Sequence, residues 1–287
     1  MSTAESVLIW SAAALYAAAT ILAFSALVWG RREMLRWSIG LAVVGCVAHA
    51  VAIGVRWYSA GHFPYVEDYE NVLVGSFAMV AAYLAMTYVR RGFGVAAVVV
   101  LPTVLITLGY GVTQAGAIQP VTPPYQSAWL VIHVTFAWIT YAAYSAVAGL
   151  AVIVLWRERA RSKAIDAPIL PEWIPSEEET DDVSMRLVAF GFLNNAVMIA
   201  SGSIWAYRLW GSFWRWDPVE TWSLLTWLAY GFYMHAHFTL GWRGRRLAWV
   251  ALLALLGVLM AFWGVQLLPN SYHLFNSLGE TLSNQRF

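Results

Sequence analysis

The chain has 287 residues, of which 60% are hydrophobic and 11% charged. A soluble domain is about half apolar and about a quarter charged, so this composition argues against a soluble enzyme and a disordered protein. The net charge of +1 provides no attraction to nucleic acid. The lone Cys46 excludes a disulfide framework and a cysteine-based zinc or iron–sulfur site within the chain.

About 20 mostly apolar residues cross a bilayer core of roughly 30 Å. Eight such runs follow one another at 7–28, 37–57, 71–89, 93–112, 127–156, 186–207, 220–241 and 246–268. They are continuous rather than alternating, which predicts helices and not a β-barrel. The first has no basic segment before it and reads as a retained span, not a cleaved signal. The expected fold is therefore an all-α integral membrane bundle of about eight helices, forming one polytopic domain over 1–287.

Orientation follows from the basic residues. Of the 17, 13 lie in alternate connections: Arg31, Arg32, Arg36, Arg90, Arg91, Arg157, Arg159, Arg161, Lys163, Arg186, Arg243, Arg245 and Arg246. Those connections are expected in the cytoplasm, and both termini on the outer face. Residues 157–185 then form a cytoplasmic linker with a basic start and an acidic run, Glu177 to Asp182. Outside lie 56–71, 110–127, the segment 206–220 and the tail from 268.

The segment 206–220, AYRLWGSFWRWDPVE, precedes the seventh span. Trp210, Trp214, Trp216, Trp222 and Trp227 fall within 18 positions. An aromatic belt at the membrane surface explains one or two Trp per helix end but not this density. A flat aromatic platform for a large planar ligand explains it better. Pro218 fits the first turn of the next helix and Asp217 its N-cap. Asp217 and Glu220 are thus read as caps in preference to reactive acids.

A planar ligand that needs histidine is haem, whose iron takes axial imidazoles. His133 lies about six residues into the fifth span, and His273 just beyond the eighth. Both are expected on the outer face with the Trp segment, where together they would form a bis-His site. His235 lies in the seventh span, roughly 20 Å from its outer end. It is either functional, as intramembrane ionisable groups often are, or an interhelical hydrogen-bonder. His49 is about 10 Å deep and too far in depth from His235 to share an iron with it. His62 is read as structural. No Cys-x-x-Cys-His is present, so the chain does not itself hold a c-type haem covalently.

The run WGSFWRWDPVETWSLLTWLAY, Trp210 to Tyr230, resembles the tryptophan-rich "WWD" signature of the haem-handling proteins CcmC, CcmF and CcsA (also called ResC). Eight spans in 287 residues resemble CcsA, of System II cytochrome c biogenesis. GHFPYVEDYENVL, YMHAHFTLGWRG and FWGVQLLPNSYH resemble family segments in the same order. Gln266 stands where the family usually has Asn, and His237 where it often has Arg.

The resemblance implies holocytochrome c synthesis, in which haem b is carried outward and joined by thioether bonds to apocytochrome c. His133 and His273 match the outer axial ligands, and His235 the transmembrane one. Trp210, Trp214, Trp216, Asp217 and Trp222 would hold the macrocycle. Arg208 and Arg215 would meet its propionates, ahead of Arg56. The implied partners are a CcsB (ResB) membrane protein, which would supply the second transmembrane ligand, apocytochrome c and, indirectly, thiol-reducing proteins. The implied location is a bacterial cytoplasmic or thylakoid-type membrane, with the active site on the outer face. The alternatives are a CcmC-like haem loader and a non-haem transporter.

Overall fold

The computed structural model describes residues 1–118, 121, 123–163, 171 and 173–262. Among them run eight α-helices: α1 (Thr3–Trp29), α2 (Arg32–Ala60), α3 (Asp68–Val89), α4 (Ala97–Thr113), α5 (Ala128–Lys163), α6 (Glu177–Trp210), α7 (Pro218–Phe238) and α8 (Arg245–Phe262). A 3-10 helix, Arg91–Ala96, leads into α4, and a short one lies at Pro123–Tyr125. There is no strand among the described residues. Six helical stretches are long and apolar enough to span a membrane. The chain is a multi-pass membrane protein.

Consecutive helices run antiparallel, so the bundle has two ends. The basic end holds the α1–α2, α5–α6 and α7–α8 connections. The tryptophan end holds the start of α1, the α2–α3 connection and the α6–α7 turn. Small residues allow the close approach that lipid-solvated helices need. Ala12, Ala19, Ala23 and Ala26 of α1 are fully buried, and Ser38 Oγ of α2 donates to Ala19 O at 2.7 Å. The second core joins α5 to α8, where Tyr144 and Tyr230 stack with ring centroids 3.5 Å apart. Large apolar side chains such as Ile21, Phe24, Val28 and Val47 point outward, as expected of a surface solvated by lipid rather than water.

The linker expected over 157–185 is structured at both ends. Residues 157–163 continue α5 and 177–185 open α6, where Ser176 and Glu179 form a capping box. Charge at these positions ends the apolar run but not the helix. Between the helices, Ile174 is buried. Trp173 Nε1 donates to Gly30 O at 3.4 Å, and Arg157 donates to Pro175 O. Arg161–Glu177 and Arg90–Glu179 ion pairs, at 2.8 and 3.2 Å, close the basic end.

Candidate functional site

α6 ends at Gly211, whose φ of 71° and N–H bond to Tyr207 O stop the helix. Six residues then separate Gly211 from α7, which begins at Pro218. Asp217 is its N-cap and is buried at 4% exposure. Asp217 Oδ1 accepts the Val219 N–H at 2.8 Å. Glu220 Oε2 accepts two backbone N–H groups, from Arg215 at 2.8 Å and Asp217 at 3.2 Å. Both carboxylates therefore serve the turn, as their sequence positions predict. Asp217, also expected to bind cofactor, is turned into the backbone, because an N-cap side chain must face the helix's own N–H groups.

The residue held between those two clamped N–H groups is Trp216. Its φ is 58°, the left-handed region, and no other non-glycine residue among those described has a positive φ. A bulky side chain there is strained. The clamp presents its indole outward, 69% exposed. Trp214 meets Trp216 edge to face, with centroids 5.7 Å apart. Trp210 packs against Trp205 at 5.7 Å. Tyr207 and Phe213, both half-exposed, stack at 4.3 Å. Trp222 is half-buried on the first turns of α7. The turn thus carries exposed aromatic side chains, Tyr207, Phe213 and Trp216.

Arg215 donates to Trp210 O and lies over the Trp210 ring, 5.9 Å from its centroid. Arg208 is exposed in the last turn of α6, where a cation favours the helix dipole. Arg56, which the sequence ranks behind them for the propionates, points into the protein. It is fully buried, with Nε 2.9 Å from Glu70 and Nη2 3.0 Å from Glu67.

His133 sits in the second turn of α5, half-buried against α6. Its Nδ1 is 2.8 Å from Met198 O. A carbonyl only accepts, so Nδ1 carries the proton. Gly202, one turn further along α6, makes room for the ring: a Cβ there would lie 2.6 Å from His133 Nδ1. Gly202 to Trp210 is eight residues, about 12 Å of helix. The fold therefore brings His133, Trp210, Trp214, Trp216, Asp217, Trp222, Arg208 and Arg215 to one end. Gly202 was not legible as a site residue, since glycines are common in membrane helices.

His235 is at the other end. It lies in the last turn of α7, roughly 25 Å along the helix from Pro218, and it is exposed on the bundle surface. His237 points elsewhere, with a buried Nδ1. His49 is buried between Tyr16 and Phe77, and His62 Nδ1 bonds to Phe63 O at 2.9 Å. His273 falls outside the described residues. Among the described residues no cluster of three metal-ligating side chains occurs.

The model of the Cytochrome C assembly protein family matches residues 66–273. A Cytochrome c biogenesis protein CcsA of Synechococcus sp. (strain CC9902) is 34% identical over 247 residues, covering 77% of this chain and 80% of that protein. The chain belongs to the CcsA family. The CcsA of Trieres chinensis is 28% identical over 288 residues and covers 87% of this chain and 92% of its own length. The solved structure of the cytochrome c haem lyase CcmF superposes with a TM-score of 0.68 at 18% identity. The match takes in 99% of this CcsA-family chain but about half, 51%, of CcmF. That likeness is one of fold.

Proposed function

We propose that this chain works in cytochrome c maturation by presenting haem b, its substrate, for covalent attachment. The observation that carries the reading is the seating of His133. A ring fixed through Nδ1–H to a carbonyl has one tautomer, and its lone pair lies on Nε2, the nitrogen that ligates iron. Gly202 and Met198 hold that ring at the end of the bundle where the Trp turn offers exposed aromatic faces. Such faces suit a flat, largely apolar macrocycle.

In this reading His273 supplies the second axial nitrogen. Trp214, Trp216 and Trp222 support the ring, and Arg208 and Arg215 meet its propionates. Asp217 acts by capping α7, and with it the turn that carries Trp216, rather than by touching haem. The charge bias puts this end on the outer face of the membrane. His235, exposed near the opposite end, serves entry together with a ligand from a CcsB-type partner.

The reaction needs position more than chemical assistance. Each cysteine sulfur of an apocytochrome Cys-x-x-Cys-His segment bonds to a vinyl carbon. The vinyl double bond becomes single, and the thiol proton ends on the neighbouring carbon. No oxidant or reductant is consumed. Holding thiol and vinyl in contact makes a slow bimolecular addition effectively intramolecular.

The test is co-purification with the CcsB-type partner. The complex should carry haem with a bis-His absorption spectrum. His133→Gly should abolish holocytochrome c formation, with partial recovery on added imidazole. Undiminished maturation by the variant would refute the assignment of His133.

A further inference from the structure

At the basic end a groove of about 430 Å³ opens between α2 and α3. Leu35, Ile39 and Val43 line one wall and Leu84 the other. Arg32 and Arg36, one helical turn apart, stand at its mouth. Both are exposed, and neither is ion-paired among the described residues, unlike Arg90, Arg161 and Arg186. Two like charges at i and i+4 repel, so the pair calls for an anion. Thr87 also lines the groove; it is 3% exposed, and its Oγ1 has no hydrogen-bond partner of good geometry.

We infer that this groove binds an anionic phospholipid. The phosphate sits on Arg32 and Arg36, and one acyl chain runs along Leu35, Ile39 and Val43. The dimensions decide for a lipid. From Arg32 to Val43 is eleven residues, about 16 Å of helix, and one leaflet's hydrocarbon is about 15 Å deep. The exposed Tyr88 lines the groove, and the exposed Trp29 and Trp37 stand in the last turn of α1 and the first turns of α2, as aromatic residues do at headgroup level. A basic pocket between helices at that level is the setting in which anionic lipids are selected. The site lies at the end of the bundle opposite His133 and does not depend on the haem reading.

Native mass spectrometry of the full chain tests it, with dioleoyl phosphatidylglycerol and dioleoyl phosphatidylcholine as probes. One phosphatidylglycerol should be retained at least tenfold more tightly than phosphatidylcholine. Arg32→Gln with Arg36→Gln should weaken its binding roughly 20- to 30-fold, about fivefold per charge. Arg32→Lys with Arg36→Lys should keep most of it, since a point charge holds phosphate; this pair also serves if the glutamine variant fails to fold. Ile39→Trp should block the groove with the charges intact. Equal retention of both lipids, or a preference untouched by the glutamine pair, would overturn the proposal. So would equally tight binding of glycerol phosphate, which has no acyl chain. A photo-cross-linker at position 39 should capture lipid in the native membrane, and capture of a polypeptide instead would make this a protein interface.

Discussion

His133 shows how little of a site one residue type specifies. Six histidines stand in the sequence, and the structure gives the five it describes different surroundings. Among those five, only the ring of His133 meets a helix backbone through Nδ1, over a glycine, at the tryptophan end. Its neighbour therefore carries a sharp prediction. Gly202→Ala places a methyl group 2.6 Å from Nδ1, and the ring must turn away from Met198 O. Overpacking of this kind costs about 1–3 kcal/mol. The variant is expected to insert and accumulate normally yet lose tenfold or more of holocytochrome c output, assayed by haem staining. Full output would show that the ring's seat is immaterial. The position of His133 in its span was legible. Its tautomer was not, because the acceptor lies 65 residues away.

At the scale of elements, the α6–α7 turn is the case where sequence chemistry reads most clearly. Asp217, Pro218 and Glu220 announce a capped helix, and the cap is formed. The left-handed Trp216 has no such local signal, since residues of its type avoid that region. It is imposed by Glu220, which grips the N–H groups on either side of it. Two outcomes separate cap from platform. Asp217→Ala should destabilise the protein by about 1 kcal/mol, read as a lower melting temperature in detergent, while Asp217→Asn should not. Trp216→Gly should relieve backbone strain and leave melting unchanged or slightly higher, yet reduce haem retained on purification. Melting that falls with Trp216→Gly would mean the indole is there for packing. The helix bounds at α5 and α6 were less legible. Hydropathy marks where lipid ends, whereas helices continue into water wherever capping and ion pairs satisfy them, as at Arg161–Glu177.

For the whole molecule, the tryptophan end is tied together by a buried polar cluster. Arg56 of α2 pairs with Glu70 and Glu67 and lies over the Tyr69 ring at 5.2 Å. Tyr69 in turn donates to Glu5 of α1 at 2.7 Å, so three helices meet there. Glu70→Ala would leave a fully buried guanidinium short of a partner and should cost about 3–5 kcal/mol. The double variant Arg56→Met with Glu70→Leu should recover much of that loss, because it removes both charges. A melting experiment on the wild type and the two variants decides it: a double variant no more stable than Glu70→Ala would show that the pair is not coupled.

Membrane insertion, the number of helices, the cap at Asp217 and the family signature were all set by the sequence alone. Each depends on local pattern: apolar run length, or residue types at fixed offsets. The tertiary structure alone decided that Arg56 is a buried structural cation, that Gly202 seats His133, and that Arg32 and Arg36 guard an apolar groove. These rest on contacts between helices rather than on residue types within one. In a bundle whose helices are apolar nearly all round, hydrophobicity does not say which face meets which neighbour. That is settled where a glycine permits approach or a buried charge demands a partner.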